Sequence, residues 1–192
     1  MFHFGSRLSV QIALCISVLG LVQGLSLVGL DNASSGSDIA RASFTGLGIT
    51  ATFKFSSNPS TSATRVDVSV TGLRSGFDNP YHIHSYGVGV NSNCTATGPH
   101  FNPTKALAGH CDPANPKLCE IGDLAGKHGN LLSRQSVFST TYEDSSLQLS
   151  RTGGGIFYRS IVIHGPNKIK LACGTIIPTA ASPAEKIVGD LL

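Results

Sequence analysis

Apolar and polar residues alternate along much of the chain, a pattern typical of β-strands with one buried face. The cleanest example is residues 64–70, where Val66, Val68 and Val70 are separated by polar side chains. Similar stretches and shorter apolar runs predict strands at residues 42–46, 49–55, 82–84, 136–140, 146–149, 157–164 and 169–177. About eight short strands separated by Gly, Pro, Asn and Ser predict an all-β sandwich or barrel.

A long irregular segment, residues 87–121, separates the fourth predicted strand from the fifth. It is rich in Gly, Asn and Pro and contains Cys94, Cys111 and Cys119. Because structureless loops of this length are uncommon in compact domains, we expect the segment to be functional.

The N-terminus has the features of a secretory signal peptide. In residues 1–24, Arg7 supplies a positive charge, residues 8–22 are apolar, and cleavage is expected after Gly24. An N-terminal membrane anchor is the alternative, although the apolar stretch is short for a membrane span. The remaining chain is expected to comprise a flexible lead-in at 25–41, the β domain at 42–178 and a C-terminal tail at 179–192. We therefore expect a secreted protein, extracellular or associated with a cell wall, with no stable membrane insertion after signal removal.

Secretion changes what the cysteines indicate. Cys15 would leave with the signal peptide, and four cysteines would remain: Cys94, Cys111, Cys119 and Cys173. An even number in an oxidising compartment predicts two disulfides, for which three pairings are possible. Asn32 and Asn93 each begin an Asn-x-Ser/Thr sequence and are candidate glycosylation sites.

Size and charge narrow the class of protein further. The 192 residues fit one domain with short extensions. The formal net charge is +3, and removal of Arg7 with the signal peptide leaves +2 (3 − 1 = 2). So mild a charge argues against nucleic-acid binding.

Four of the seven histidines occupy positions that suit metal ligands. His82 and His84 are two residues apart on a predicted strand, so both imidazoles point to one face, roughly 7 Å apart. His100 lies in a turn-rich sequence, and His164 ends an apolar strand. Imidazole suits copper and zinc. The alternative at each position, taken singly, is a histidine with an ordinary structural or surface role.

Several motifs, in this order, resemble the copper/zinc superoxide dismutases. They are Tyr-His-Ile-His at 81–84, Cys94, Gly-Pro-His-Phe-Asn-Pro at 98–103, Gly-Asp-Leu at 122–124, Ile-Val-Ile-His at 161–164 and Leu-Ala-Cys-Gly at 171–174. The resemblance covers roughly residues 42–178. It implies an eight-stranded Greek-key β-barrel, a superoxide dismutase-like relative of the immunoglobulin-like sandwich.

The resemblance also implies roles for individual residues. The positions that match the four copper ligands are His82, His84, His100 and His164. The disulfides it implies are Cys94–Cys173 and Cys111–Cys119.

Three departures from the common family pattern affect the metal content and the approach of substrate. Glu120 stands where a zinc-ligating histidine is usual, and the loop between His100 and His110 is two residues longer than usual. The long electrostatic loop is reduced to residues 165–169, and Lys170 replaces a substrate-guiding arginine. The altered zinc site and the shortened electrostatic loop are similar to those of the copper-only secreted dismutases of fungi and oomycetes.

This branch implies copper without zinc, with Glu120 supporting the His100 imidazole. The family position of the guiding arginine implies that Lys170 steers the substrate anion. The Gly-Lys-His-Gly sequence at 126–129 is also similar to that branch, and we expect His128 to lie on a surface loop without a role.

The expected function is a secreted copper-dependent superoxide dismutase that converts superoxide, a small anion, to O₂ and hydrogen peroxide. One alternative is a copper-binding or copper-chaperone module on the same fold. Another is a bimetallic enzyme in which His110 and Asp123 bind zinc. The oligomeric state is left open by the sequence, and a monomer is the working expectation.

Overall fold

β-Strands dominate the computed structural model, which describes residues 39–74, 76–134 and 136–179. The predicted signal peptide, the sequon at Asn32, almost all of the predicted lead-in and the C-terminal tail from residue 180 lie outside the described residues. None of the helices in the described ranges is long and apolar enough to cross a membrane.

The described residues form ten strands, one short helix and four 3-10 turns. The strands are β1 (Ala40–Gly46), β2 (Ile49–Ser57), β3 (Thr64–Thr71), β4 (Asp78–Asn79), β5 (Tyr81–His84), β6 (Leu131–Leu132), β7 (Val137–Asp144), β8 (Ser160–His164), β9 (Lys170–Thr175) and β10 (Ile177–Pro178). The helix is α1 (Leu124–His128), and the 3-10 turns are Val90–Ser92, Cys94–Thr97, Pro116–Leu118 and Pro166–Lys168.

These strands belong to three antiparallel sheets. A five-stranded sheet has the order β10-β1-β2-β3-β7, a three-stranded sheet has the order β5-β8-β9, and β4 pairs with β6. The prediction of an all-β domain is confirmed.

The hydrophobic core draws on both larger sheets. In β3 the side chains of Thr64, Val66, Val68 and Val70 are buried and the intervening ones are not, which follows from the alternation of side chains along a pleated strand. In β8 all five residues are buried, as expected for an uninterrupted apolar run. Phe53, Tyr81 and Ile163 are among the side chains that are almost fully buried.

One predicted strand is wrong. Residues 146–149 form no strand: a turn at residues 145–146 leads into irregular chain with a single bridge between Gln148 and Gly155. Asp144 Oδ1 accepts hydrogen bonds from the backbone N–H and the hydroxyl of Ser146, which bends the chain immediately after β7. Leu147 is nevertheless buried and Leu149 packs against the core, so the predicted alternation of burial is present here without a strand.

The structure has ten strands rather than the predicted eight, and three of the ten have only two residues. The predicted strand at 169–177 is divided by Ile176 into β9 and β10, and the one at 157–164 begins only at Ser160.

Three backbone hydrogen bonds join the segments that carry the predicted site residues. Phe101 N–H donates to the Ile83 carbonyl, Ile83 N–H donates to the Gly122 carbonyl, and Gly122 N–H donates to the Phe101 carbonyl, each at 2.8 Å. Gly122 lies so close to β5 that a Cβ at this position would be 2.3 Å from the Ile83 carbonyl oxygen. The His-Ile-His strand, the His100 turn and the Glu120 segment are thereby fixed relative to one another.

Gly122→Ala is expected to destabilise the protein by about 1–3 kcal/mol, because the new methyl group meets backbone atoms that cannot rotate away. Urea unfolding measures the change. Gly154→Ala is the matched control, since the atoms nearest to its Cβ would belong to the flexible Gln148 side chain, at 3.3 Å. Equal stability of wild type and Gly122→Ala would contradict the close approach.

Candidate metal centre

Four histidines from three segments bring ring nitrogens close together. They are His82 and His84 of β5, His100 of the long connecting segment, and His164 at the end of β8. One potential ligand atom from each lies within 4.8 Å of those of the other three. Antiparallel pairing of β5 with β8, together with a bond from His164 N–H to the Pro80 carbonyl at 2.8 Å, brings the strand end to the paired histidines.

Backbone carbonyls determine which ring nitrogen carries the proton in two of these imidazoles. His84 Nδ1 lies 2.8 Å from the Gly98 carbonyl oxygen, and His164 Nδ1 lies 3.3 Å from the Lys168 carbonyl oxygen. A carbonyl oxygen only accepts hydrogen bonds, so both Nδ1 atoms donate. In each neutral ring the Nε2 atom is then left with its lone pair.

Carboxylates play the same part for the other two imidazoles. His100 Nδ1 donates to Glu120 Oε2 at 2.7 Å, and His82 Nε2 lies 3.4 Å from Asp123 Oδ1. The nitrogen left with a lone pair is therefore Nε2 in His100 and Nδ1 in His82. His82 Nδ1 is buried and has no hydrogen-bond partner.

The lone pairs that converge are unsatisfied by the protein itself. His84 Nε2 and His164 Nε2 face each other at 3.1 Å, although both of their protons are committed elsewhere. Burial lowers the pKa of His84 to about 3 and that of His164 to about 4, so a proton does not bridge them at neutral pH. Two facing lone pairs and an orphaned buried nitrogen fit a bound metal cation.

Glu120 is buried and has partners for both carboxylate oxygens. Oε2 accepts from His100, and Oε1 accepts from Asn102 Nδ2 at 3.1 Å. Asn102 also holds its own loop through Ala106, so the carboxylate is attached to a fixed amide. Burial and the neighbouring His82 lower the pKa of His100, and the bond to Glu120 opposes that effect. Asn102 is a site residue that sequence reasoning missed, although it lies within the quoted Gly-Pro-His-Phe-Asn-Pro motif.

Asp123 has two tasks in the structure. It is the N-cap of α1, where Oδ1 accepts from Gly126 N–H at 2.8 Å, and it faces His82. Burial alone would raise its pKa, but the hydrogen bonds from His82 and Gly126 outweigh burial and the pKa lies below its usual value.

The residues proposed for an alternative zinc site are not assembled. His110 is exposed. Among the described residues, the four copper-type histidines are the only group of three or more potential ligands close enough to hold one ion, and neither His110 nor Asp123 belongs to it.

Lys170 does not line the cavity beside the histidines. Its ammonium donates to the Cys94 carbonyl at 3.2 Å, to Thr97 Oγ1 at 2.9 Å and to the Gly98 carbonyl at 3.1 Å. These bonds use all three ammonium protons to fasten the loop whose Gly98 orients His84. The positive charge nevertheless lies near enough to contribute to lowering the pKa of His84 and His164.

Lys168 and Asp78 both contribute to the wall of a cavity beside three of the histidines. A cavity of about 650 Å³ opens beside His82, His100 and His164, and the short connection Pro166–Lys168 forms part of its wall. Asn167 and Lys168 both have a positive φ, which turns this connection tightly enough for the Lys168 carbonyl to reach His164.

The structure contains disulfides Cys94–Cys173 and Cys111–Cys119, the two pairs implied by the resemblance. The first joins the histidine-bearing segment to β9. Asn93, the second candidate for glycosylation, is exposed, and its side-chain oxygen accepts from Thr95 N–H at 2.9 Å.

The expectation that His128 lies on a surface loop is wrong. His128 ends α1, its ring stacks on Tyr142 with centroids 3.9 Å apart, and Nε2 lies 3.0 Å from Asp144 Oδ2. Its side chain is only 16% exposed. A single glycine-flanked histidine in the sequence gives no sign of these partners.

Fold and site together define a β-sandwich protein with a four-imidazole metal centre, open on one side to a cavity. A family model described as copper/zinc superoxide dismutase matches residues 49–176. The chain belongs to this family, which confirms the resemblance seen in its motifs.

Particular relatives come from Candida albicans. The chain is 41% identical over 116 residues to cell surface Cu-Zn superoxide dismutase 4 and 40% identical over 116 residues to cell surface Cu-only superoxide dismutase 5. In both cases the match covers 58% of this chain and 47% of the relative. The chain thus spans about half the length of these curated relatives.

Solved structures agree with this assignment. Candida albicans superoxide dismutase 5 with Cu(II) has a TM-score of 0.67 and 33% identity, covering 77% of this chain and 98% of the other. Variants of that enzyme with a substituted glutamate and a substituted aspartate have TM-scores of 0.67 and 0.62. Those two substituted residues are three positions apart, as are Glu120 and Asp123.

The lowered pKa values of His84 and His164 predict that the metal-free protein loses stability in acid. Both imidazoles have an ordinary pKa of 6.5 in the unfolded chain but take up protons only near pH 3 to 4 in the folded protein. Between those values the unfolded state binds more protons, so the free energy of unfolding falls as the pH drops from about 6.5 to about 4. Urea unfolding at pH 7, 6 and 5 checks this, and His84→Gln should weaken the dependence. A constant wild-type midpoint would contradict it.

Proposed function

We propose that this protein is a copper-dependent superoxide dismutase that works without zinc. The observation that carries the proposal is the convergence of four imidazole nitrogens, each left with its lone pair by an outer hydrogen-bond partner. An all-nitrogen centre without thiolate suits copper in both of its common oxidation states. The relative named as Cu-only superoxide dismutase 5, and its structure with Cu(II), support the same metal.

The residue environment supports copper alone. A protein zinc site usually has four ligands. Here His100 Nδ1, the ring nitrogen that faces away from the centre, is bonded to Glu120, and the described residues contain no second group of three close ligands that includes His110 and Asp123. Bound copper would supply the one-electron oxidation and reduction that convert two superoxide anions and two protons to O₂ and hydrogen peroxide.

Glu120 and Asn102 position His100 for this reaction. The carboxylate holds the proton of the imidazole on Nδ1, keeps Nε2 directed at the centre and stabilises the ring when it carries an additional proton. The His100 side chain is 33% exposed, against 12% for His82. It is therefore suited to exchange protons with water.

Electrostatic attraction brings the substrate anion to the cavity. Lys168 lies in the cavity wall, and Lys170 holds a fixed positive charge beside His84. Because the connection Pro166–Lys168 is short, the cavity stays open to solvent, and salt screens this attraction.

The same proposal extends to location and assembly. The named relatives are cell surface proteins, and a signal peptide is predicted for residues 1–24, so we propose an extracellular or cell-wall-associated enzyme. A monomer stays a prediction, which analytical ultracentrifugation of the secreted protein would test.

The direct test combines metal analysis with superoxide consumption. The secreted protein is equilibrated with copper and zinc together, and we expect one copper and no stoichiometric zinc per chain, with rapid superoxide consumption. One tightly bound zinc per chain would indicate the bimetallic alternative. One copper with no consumption of superoxide would indicate a copper-binding or chaperone module instead.

Glu120→Gln is expected to keep the fold and most of the copper affinity but to slow superoxide consumption by about 10- to 100-fold. The amide accepts one hydrogen bond from His100 Nδ1 but carries no charge to stabilise a protonated ring. Pulse radiolysis over a pH range measures the rate constants. Glu143→Gln, an exposed glutamate on β7, is the control. Wild-type rates across pH in Glu120→Gln would refute the role of the carboxylate.

The second-order rate constant for superoxide is expected to fall as ionic strength rises. Lys168→Ala should lower it several-fold and flatten the salt dependence, because the cavity wall loses its cation. Lys170→Ala should also lower it, but with a lower melting temperature, since three loop hydrogen bonds are lost. Lys54→Ala on β2 removes the same charge elsewhere and serves as control. Unchanged rate and salt slope in Lys168→Ala would exclude steering by this residue.

A further inference from the structure

The side chain of Lys127 in α1 is almost entirely buried. It is 1% exposed, and its ammonium donates to Asp144 Oδ2 at 2.6 Å, to the Ile121 carbonyl at 2.9 Å and to Ser146 Oγ at 2.9 Å. Every ammonium proton thus has a partner. This group is separate from the four histidines, and nothing in the proposed chemistry uses it.

Asp144 is the centre of the buried network. Besides Lys127, its carboxylate accepts from His128 Nε2 at 3.0 Å and from both the N–H and the hydroxyl of Ser146. Asp144 is the last residue of β7, an edge strand of the five-stranded sheet. The network therefore connects the five-stranded sheet to the segment that runs from the metal centre into α1.

The bond to the Ile121 carbonyl gives Lys127 an influence on the metal centre. Ile121 lies directly after Glu120, which holds His100, and two residues before Asp123, which faces His82. The same four-residue turn is closed by Asp123 N–H donating to the Glu120 carbonyl at 3.0 Å. A shift of the Ile121 peptide would move both carboxylates relative to their imidazoles.

Stability alone is a weak reason for such an arrangement. A buried ion pair recovers little free energy beyond its desolvation cost, and apolar residues of similar volume are often equally stable there. An apolar side chain at position 127, however, would leave the Ile121 carbonyl without its donor. The directional bond to that carbonyl, rather than the charge pairing, is what an apolar core could not replace.

We propose that Lys127 is a positioning residue for the metal centre: its ammonium, fixed by Asp144 on β7, holds the Ile121 peptide so that Glu120 and Asp123 stay aligned with His100 and His82. This inference rests on the proposed function for its catalytic consequence, whereas the positioning itself is a property of the metal-free chain.

The test compares wild type with the double variant Lys127→Met/Asp144→Asn. The double change leaves no unpaired buried charge, and the amide oxygen introduced at position 144 can still accept from Ser146. The control is Arg65→Met/Asp67→Asn, which removes an exposed ion pair of the same charges on neighbouring β3. Copper content is measured for every protein so that activities refer to loaded enzyme.

The first readout is the imidazole Nδ1–H proton of His100 in metal-free protein, observed by ¹H–¹⁵N NMR. We expect it to move upfield and to exchange with water about ten-fold faster in the double variant, and to be unchanged in the control. An unchanged signal and exchange rate in a folded double variant would overturn the proposal, whether or not the protein proves to be a dismutase.

The second readout is superoxide consumption by the copper-loaded proteins. We expect a loss of about ten-fold at equal copper content in the double variant, the size typical when an outer partner of a metal ligand is disturbed. Wild-type activity despite an altered His100 signal would overturn the functional part. If wild type itself is inactive, the proposed function fails and the NMR result alone decides the positioning.

Ser146→Ala keeps the test decisive if the double variant does not fold. It removes one acceptor of the Lys127 ammonium and leaves the ion pair in place. We expect the His100 signal to change in the same direction and to exchange several-fold faster, and a signal identical to wild type would overturn the proposal.

Discussion

The metal centre depends on three backbone hydrogen bonds that form a closed cycle among Ile83, Phe101 and Gly122. They lock together the strand that carries His82 and His84, the turn that carries His100 and the segment that carries Glu120 and Asp123. Only glycine fits at position 122, because a side chain would overlap the Ile83 carbonyl. A site built from parts of the chain that are distant in sequence thereby keeps a single geometry.

That geometry determines the chemistry because it fixes which ring nitrogen of each histidine carries the proton. One ring nitrogen of each imidazole is committed to an outer acceptor. The acceptor is a backbone carbonyl for two of the histidines and a carboxylate for the other two. The remaining nitrogens converge as lone pairs in a buried setting that disfavours protonation. The acceptors in turn depend on further contacts: Lys170 secures the loop of Gly98, Asn102 secures Glu120, and Lys127 reaches the segment between the two carboxylates.

Much of the fold can be predicted because its strands obey a simple period. The alternation in β3 reflects burial of one face of that strand, and the apolar run of β8 reflects burial of both faces. Both patterns are visible in the sequence. Residues 146–149 have the pattern of a strand because Leu147 and Leu149 both pack toward the core from irregular chain after Asp144, and periodicity does not distinguish that case.

The convergence of the candidate metal ligands can also be predicted in part, since a His-x-His spacing on a strand places both rings on one face. Side-chain partners cannot. The bonds of Lys170 to loop carbonyls, the position of Lys168 in the cavity wall and the burial of His128 against Tyr142 all arise from contacts between distant segments. Residue type and local sequence pattern carry no information about such contacts. A positive charge at the position of the guiding arginine therefore does not predict the bonds that Lys170 makes to the loop.

The ring nitrogen that each histidine offers to copper tests the central claim most directly. In Cu(I)-loaded, ¹⁵N-labelled protein, long-range ¹H–¹⁵N NMR distinguishes metal-bound from protonated imidazole nitrogens. We predict that His82 binds through Nδ1 and keeps its proton on Nε2 beside Asp123, while His84, His100 and His164 bind through Nε2 or keep it directed at the metal. A His82 ring protonated at Nδ1, or copper bound to His110, would contradict the outer hydrogen bonds as the determinant of the site.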